Sequence, residues 1–258
     1  MVEPLVGLHR FEDMAVLVTG AGQGIGRACA GRLAAEGARV AVSDLDLDLA
    51  RQVAQSLPSS RDPVALCMDV RDRASVDKAV AAGAAEFGGL DVVVNAAGGD
   101  LPHGIFEETG DEIWSALLEL NLVGVARVCR ATMPMLRRSS RGPGIVTVSS
   151  INGQAALGSE PYSSAKAGLT ALTANLARYL APDGVRVNAV APGTINTGVW
   201  DSQPGGADRM LPLYPLGRVG DPSDVAAAVA FLASSDASWI TGHVLPTDGG
   251  LLLARPPL

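Results

Sequence analysis

AVLVTGAGQGIGRACAGRLAAEG, Ala15 to Gly37, changes character twice in twenty-odd residues. A short apolar run gives way to a glycine-rich turn and then to a helical pattern closed by Gly37, which reads as strand, turn and helix. Gly20, Gly24 and Gly26 space the turn as G-x-x-x-G-x-G. Missing side chains at that spacing let a dinucleotide pyrophosphate approach the backbone and the helix N-terminus. The next apolar run, ARVAVSD, ends in Asp44, where folds of this kind contact the adenosine ribose diol. A carboxylate there accepts from a free 2′-hydroxyl and repels a 2′-phosphate. Gln23 occupies the turn, which has no Arg or Lys to meet such a phosphate. The expected cofactor is therefore NAD rather than NADP.

Outward from this unit the same alternation repeats. Asp46 and Asp48 suit a helix start, and the helix runs to about Leu57. PVALCMDV, Pro63 to Val70, reads as a third strand, with Asp69 either capping the next helix or facing adenine. A helix over Arg73 to Phe87 leads to LDVVVNAAGG, a buried parallel strand opening into a small-residue turn. There Gly98 permits close approach of a cofactor, and Asn95 is expected to fix the loop through its backbone groups. A long helical pattern from about Glu112 to Arg138 is interrupted on its apolar face by Asn121, which taken alone reads as a satisfied core amide. GIVTVSS and VRVNAVAPG are the fifth and sixth strands. Gly20, Asp44, Asp69, Asn95, Ser150 and Pro192-Gly193 thus end successive strands. This is the edge on which an open doubly wound sheet binds ligands.

The segment SSINGQAALGSEPYSSAK, Ser149 to Lys166, brings chemistry to that edge. Tyr162 and Lys166 stand one turn apart near the start of a helix and share a face. A free phenol is a poor base at neutral pH, and a nearby ammonium is expected to draw its pKa down. A serine at the end of the preceding strand would hold the substrate oxygen while Tyr162 exchanges its proton. Strand alternation allows Ser149 or Ser150 to face the site, not both.

Composition narrows the partners. A chain of 258 residues, 48% hydrophobic and 18% charged with net charge −7, supports one domain and carries no basic run suited to nucleic acid or an anionic membrane. Cys29, Cys67 and Cys129 lack metal spacing and read as buried thiols of a reducing compartment. The N-terminal MVEPLVGLHRFEDM does not look like a signal peptide, and no apolar run is long enough to span a bilayer. These point to a cytoplasmic protein. Gly198 to Leu216 shows little periodicity and suits a lid in which Trp200, Met210, Leu211, Leu213 and Tyr214 cover an apolar substrate. His103 and Arg209 are read as surface residues with one possible polar contact to it. The last elements are a helix with Ser223 or Asp224 near its start and a strand in WITGHVLPTDGG.

With these residues in view, the chain resembles the short-chain dehydrogenase/reductase family from about Arg10 to Gly250. TGAGQGIG (Thr19 to Gly26) looks like the family's cofactor turn, and NAAG (Asn95 to Gly98) is similar to its NNAG motif with Ala96 departing. YSSAK (Tyr162 to Lys166) resembles its Y-x-x-x-K, and PGTINT (Pro192 to Thr197) its nicotinamide-contacting segment. The resemblance implies a Rossmann-type doubly wound α/β fold of about seven parallel strands with helices on both faces. It implies catalytic Ser150, Tyr162 and Lys166, with Ser150 preferred to Ser149 by an S-x-x-G pattern. Asn121 becomes the fourth member, kinking its helix and anchoring a water that links Lys166 to solvent. Lys166 bonds the nicotinamide ribose, while the Ile195 backbone and Thr197 hold the carboxamide. The cofactor set is Gly20, Gln23, Gly24, Ile25, Gly26, Asp44, Leu45, Asp69, Val70, Asn95, Ala96, Ala97, Gly98, Tyr162, Lys166, Pro192, Gly193, Ile195 and Thr197. The expected protein is an NAD-dependent homotetrameric oxidoreductase acting on a secondary alcohol or ketone. The alternatives are a 3-oxoacyl-carrier-protein reductase using NADPH and a non-catalytic nucleotide-sensing or scaffold protein.

Overall fold

The structure, a computed structural model, describes residues 9–58, 63–200 and 204–253. The N-terminal MVEPLVGL therefore lies outside the described residues, as do 201–203 of the expected lid. The fold is a parallel seven-stranded α/β sheet of Rossmann type. Its strands are β1 (Ala15–Thr19), β2 (Arg39–Asp44), β3 (Val64–Cys67), β4 (Val92–Asn95), β5 (Gly144–Val148), β6 (Arg186–Pro192) and β7 (Val244–Thr247). They lie in the order β3-β2-β1-β4-β5-β6-β7, so the winding reverses between β1 and β4. A crevice opens at such a reversal above the carboxyl ends of the strands.

Each strand is apolar on both faces because both faces are covered. Val16, Val18, Val92, Val94 and Val146 turn to one layer, with α1 (Gly24–Ala35), α2 (Leu47–Ser56) and α7 (Pro222–Ala233). Ala15, Leu17, Val93 and Ile145 turn to the other, with α3 (Arg73–Phe87), α5 (Gly124–Leu136) and α6 (Glu160–Leu180). Small residues such as Cys29, Ala30, Ala226 and Ala230, all fully or almost fully buried, let α1 and α7 approach closely beneath the sheet. Helix starts follow the sequence chemistry. Asp46 accepts the N–H groups of Asp48 (2.9 Å) and Leu49 (3.2 Å). Asp221 and Asp224 form a reciprocal capping box around Pro222.

Three expectations change. The third strand stops at Cys67: after the Met68 N–H bonds the Asp44 carbonyl, the Asp69 N–H turns to the Ser75 hydroxyl and leaves the sheet. The long helix is not continuous, since α4 (Asp111–Leu118) passes through a π-helical turn, Glu119–Val123, before α5. Asn121 sits in that turn and is fully buried, as expected of an inserted bend at a polar core position. Cys67 is exposed at the sheet's edge strand, whereas Cys29 and Cys129 are buried and pushed up to about 12 by burial.

Candidate active site

One half of the rim is built from backbone. Gly20 takes a φ of 60°, and a Cβ there would stand 2.6 Å from the Ala97 Cα; only glycine lets the turn and the loop after β4 touch. A Cβ on Gly26 would stand 2.1 Å from the Gly20 carbonyl oxygen, so this glycine seats α1 against the turn. The Thr197 methyl faces Gly24 across the crevice, 3.5 Å from where a side chain would begin. The Asp44 carboxylate closes the far end. One oxygen accepts the Gly22 N–H at 2.8 Å and the other the Asp46 N–H at 3.1 Å. Leu45 stands exposed beside it, and Gln23 is the N-cap residue of α1, preceding Ile25 in its first turn.

Two residues that sequence reasoning missed complete this half. Gly22 supplies the N–H that orients Asp44. Thr19, the last residue of β1, accepts from the Ala96 and Ala97 N–H groups at 3.2 and 3.1 Å. The signal for Thr19 was its position immediately before the glycine turn, in register with Asn95. Asn95 itself does not hold the loop. It lies in the interior and donates to the Thr147 hydroxyl (3.3 Å) and the Cys129 sulfur (3.6 Å), because β5 and α5 are closer to it than the loop backbone. Nor does Asp69 cap α3: Asp72 does, accepting the Ala74 N–H. Asp69 accepts from the Arg71 backbone and guanidinium, each at 2.9 Å, and that pairing holds it below the usual carboxylate range. Val70 is buried against Gly124, so only its main chain is open to a ligand.

Side chains make the other half. Pro161 opens α6, and Tyr162 and Lys166 follow on one face. The Lys166 ammonium lies 5.4 Å from the Tyr162 ring centre and donates to the Val148 carbonyl at 3.0 Å. Burial brings it down to about 8. The expected lowering of the phenol is not seen. Tyr162 is pushed up to about 12, first by burial, with the Ser150 hydroxyl opposing and the Asp100 carboxylate adding. The desolvation of a phenolate in this pocket outweighs the one hydrogen bond offered to it. Alternation resolves the serine pair. Ser149 turns inward and donates to the Lys166 carbonyl at 3.2 Å, while Ser150 faces Tyr162 and accepts the Asn152 N–H at 3.2 Å. Gly153 lies so close to α6 that a Cβ would stand 2.6 Å from the Lys166 carbonyl carbon.

Asn121 links the halves. Its amide donates to the carbonyls of Gly99 (2.9 Å) and Leu117 (3.0 Å), and its oxygen accepts the Gly99 N–H (3.0 Å). The side chain thus clamps the loop after β4 to the π-turn. A Cβ on Gly98 would stand 2.7 Å from the Asn121 oxygen and 3.4 Å from the Lys166 nitrogen.

On the third side, Pro192 ends β6, and Gly193 follows with its N–H on the Thr247 carbonyl. Ile195 is buried and bridges to Gly220, leaving its main chain to face the crevice. The lid residues separate. Tyr214 is buried and its hydroxyl takes the Thr194 N–H, so it anchors the segment instead of covering a substrate. Trp200, Met210 and Leu211 pack around it, and Leu213 is half exposed. Arg209 lies over the Trp200 ring at 5.3 Å. His103 is not a surface residue: its ring bonds the Ser159 hydroxyl at 3.0 Å and the Gly104 carbonyl at 2.9 Å.

A side-chain-free cradle at one end, a carboxylate held by two backbone N–H groups, and an amine and phenol at the other end fit an extended nicotinamide dinucleotide. Among the described residues no group of His, Cys, Asp or Glu is arranged to hold a metal ion, and no helix is long and apolar enough to cross a membrane. The class defined by this rim is a nicotinamide-dinucleotide oxidoreductase. Residues 20–252 match the family model described as enoyl-(acyl carrier protein) reductase. The chain is 37% identical over 249 residues to the 3-oxoacyl-(acyl-carrier-protein) reductase FabG of Thermotoga maritima, covering 95% of this chain and 100% of that one. It is 36% identical over 245 residues to the 2,5-dichloro-2,5-cyclohexadiene-1,4-diol dehydrogenase LinX of Sphingobium indicum, covering 94% and 97%. The crystal structure of a dehydrogenase/reductase from Sinorhizobium meliloti 1021 superposes with a TM-score of 0.88 at 31% identity, covering 95% and 97%. The chain belongs to the short-chain dehydrogenase/reductase family and is an oxidoreductase.

Proposed function

We propose that the chain is an NAD-dependent enzyme that interconverts a secondary alcohol and its ketone. The observation that carries this is the Asp44 carboxylate, oriented by the Gly22 N–H at 2.8 Å so that it accepts from a ribose hydroxyl and opposes a phosphate at the same place. The remaining roles follow the geometry. Gly20, Gly24, Gly26 and Gly98 would border the dinucleotide, Leu45, Asp69 and the Val70 main chain its adenine end, and Ile195 and Thr197 its carboxamide. Ser150 holds the substrate oxygen, Tyr162 exchanges its proton, Lys166 orients the ribose, and Asn121 keeps the loop in register. When bound, the cofactor supplies the hydride acceptor or donor and, oxidised, a positive charge near the phenol. With its pKa raised, Tyr162 holds its proton throughout the neutral range, ready to give it in ketone reduction. For alcohol oxidation it must first lose it.

A second reading, reduction of a 3-oxoacyl group with NADPH, is favoured by the likeness to FabG, and the likeness to LinX favours a diol-type alcohol. Titrating the protein with NADH and NADPH, followed by nicotinamide fluorescence, separates them. NADH should bind at least about tenfold tighter, and Asp44→Ala should erase most of that margin, since a hydrogen bond to a charged group contributes about 1.5–3 kcal/mol. NADPH binding tighter to the unaltered protein would establish the second reading instead. A non-catalytic nucleotide sensor would bind NADH yet turn over no alcohol or ketone. The intact set of Asn121, Ser150, Tyr162 and Lys166 argues against it. On the family's pattern we read the enzyme as a cytoplasmic homotetramer of single-domain subunits, which sedimentation would test.

A further inference from the structure

Resting on the alcohol–ketone reading, we propose that Asp100 determines substrate specificity: it selects an alcohol carrying a second hydrogen-bond donor and disfavours substrates with a carboxylate or phosphate near the carbinol. Asp100 follows Gly99, whose N–H and carbonyl are both held by Asn121. The loop's far side is tied by His103 to Ser159, the residue preceding the helix that carries Tyr162. The Gly104 carbonyl can only accept, so His103 Nδ1 donates to it, while Nε2 bonds the Ser159 hydroxyl. This fixes Asp100 at the mouth, with one carboxylate oxygen on the Leu101 N–H and 4.0 Å from His103 Nε2. The other oxygen has no partner among the described residues, and the side chain is 44% exposed. It is an open acceptor on the loop that His103 ties to the start of the Tyr162 helix, and its charge acts on the phenol.

Apart from the His103 ring 4.0 Å away, no basic side chain on the surrounding segments meets that charge. Residues 96–110, 149–160 and 193–200, which leave β4, β5 and β6 for the site, contain no Lys or Arg, and they add Glu107, Glu108 and Glu160. Lys166 is buried on the Val148 carbonyl, and the lid's Arg209 lies over Trp200. A negative substrate group approaching Tyr162 therefore meets like charge, whereas a second hydroxyl meets an unoccupied acceptor.

A matched four-carbon series tests this: butane-2,3-diol, butan-2-ol and 3-hydroxybutyrate with NAD, comparing the whole protein with Asp100→Asn. The expected order of kcat/KM is diol, then mono-alcohol, then hydroxy acid, and Asp100→Asn should compress the diol-to-acid ratio about tenfold. An alkaline titration of phenolate absorbance without substrate provides a readout independent of turnover: the variant's Tyr162 should ionise at lower pH. A ratio unchanged by Asp100→Asn, or a preference for 3-hydroxybutyrate, for instance through Arg209, would overturn the proposal while leaving the oxidoreductase reading intact. No turnover of any alcohol by either protein would instead remove the alcohol–ketone reading and this proposal with it.

Discussion

The two halves of the rim are made from opposite materials. Around β1 and α1 the site is backbone, and its specificity lies in what is absent: no side chain fits at Gly20 or Gly26. Around β5 and α6 it is buried polar side chain, with Ser150, Lys166 and Asn121 each under a tenth exposed. A backbone cradle is set by sterics and forfeits little stability once formed. The buried amine is held at a cost at neutral pH, visible in the lysine brought down to about 8, whereas the tyrosine, pushed up to about 12, stays uncharged there and is penalised only when it ionises. The glycine half should therefore fail by misfolding when altered, and the polar half should fail in chemistry while the fold gains.

The largest effect is expected on the polar side. Tyr162→Phe should lower kcat by about 10²–10⁴, the usual worth of a general acid–base group, with NADH binding kept and the melting temperature unchanged or raised. In the unaltered enzyme, oxidation should rise steadily as pH increases towards the phenol's raised pKa while reduction falls, because the two directions need opposite protonation states. A pH-independent oxidation rate would remove Tyr162 as the base.

On the glycine side, Gly26→Ala should destabilise the protein by about 3 kcal/mol, because a Cβ 2.1 Å from a backbone oxygen cannot be relieved by a rotamer change. Chemical denaturation reads this directly, and NADH affinity should fall with it. Full stability in that variant would mean the turn is looser than its geometry indicates.

Lys166→Met reverses the pattern and sharpens the contrast most. It should abolish most turnover yet stabilise the fold by about 1–3 kcal/mol at neutral pH, since a buried ammonium is replaced by an apolar chain of similar length. The sign follows from linkage. Between about pH 8 and 10.5 the unfolded lysine holds a proton that the folded one has lost, so the unaltered protein gains stability with rising pH in that window. The Met variant should lack that slope. Above pH 10 the opposite contribution enters from Tyr162, which keeps its proton when folded up to about 12, and stability falls as pH rises. A Met variant less stable than the parent at neutral pH would break the comparison.

The smallest effect is a control away from the rim. Gly31 lies inside α1 with nothing within 4 Å of where a Cβ would sit, so Gly31→Ala should stabilise by about 0.5–1 kcal/mol with activity unchanged.

Much of this was legible in the residues. Glycine spacing, the acid after the second strand and the apolar runs report backbone geometry locally, so the close-packed glycine turn, the place of Asp44 at the end of β2 and the parallel sheet were read in advance. The misreadings share a cause. Asn95, Tyr214 and His103 were given the nearest role in sequence, and each instead takes a partner from another element: Thr147 and Cys129, Thr194, and Ser159. Of the two roles left open for Asp69, the helix cap falls to Asp72. Thr19 and Gly22 were passed over because they contribute through hydrogen bonds to segments far along the chain, two at Thr19 and one at Gly22.

The sequence by itself determined the doubly wound parallel sheet and the chemistry its rim offers, because period, glycine and charge act over a few residues. Tertiary structure decided that Asn121 clamps a loop through a π-turn and that burial raises the tyrosine instead of the lysine lowering it. It also set Ser150 opposite the phenol, where strand alternation left the pair open and only the family pattern favoured Ser150. Those outcomes depend on desolvation and on hydrogen bonds between elements tens of residues apart, and neither is a property of any short stretch of chain.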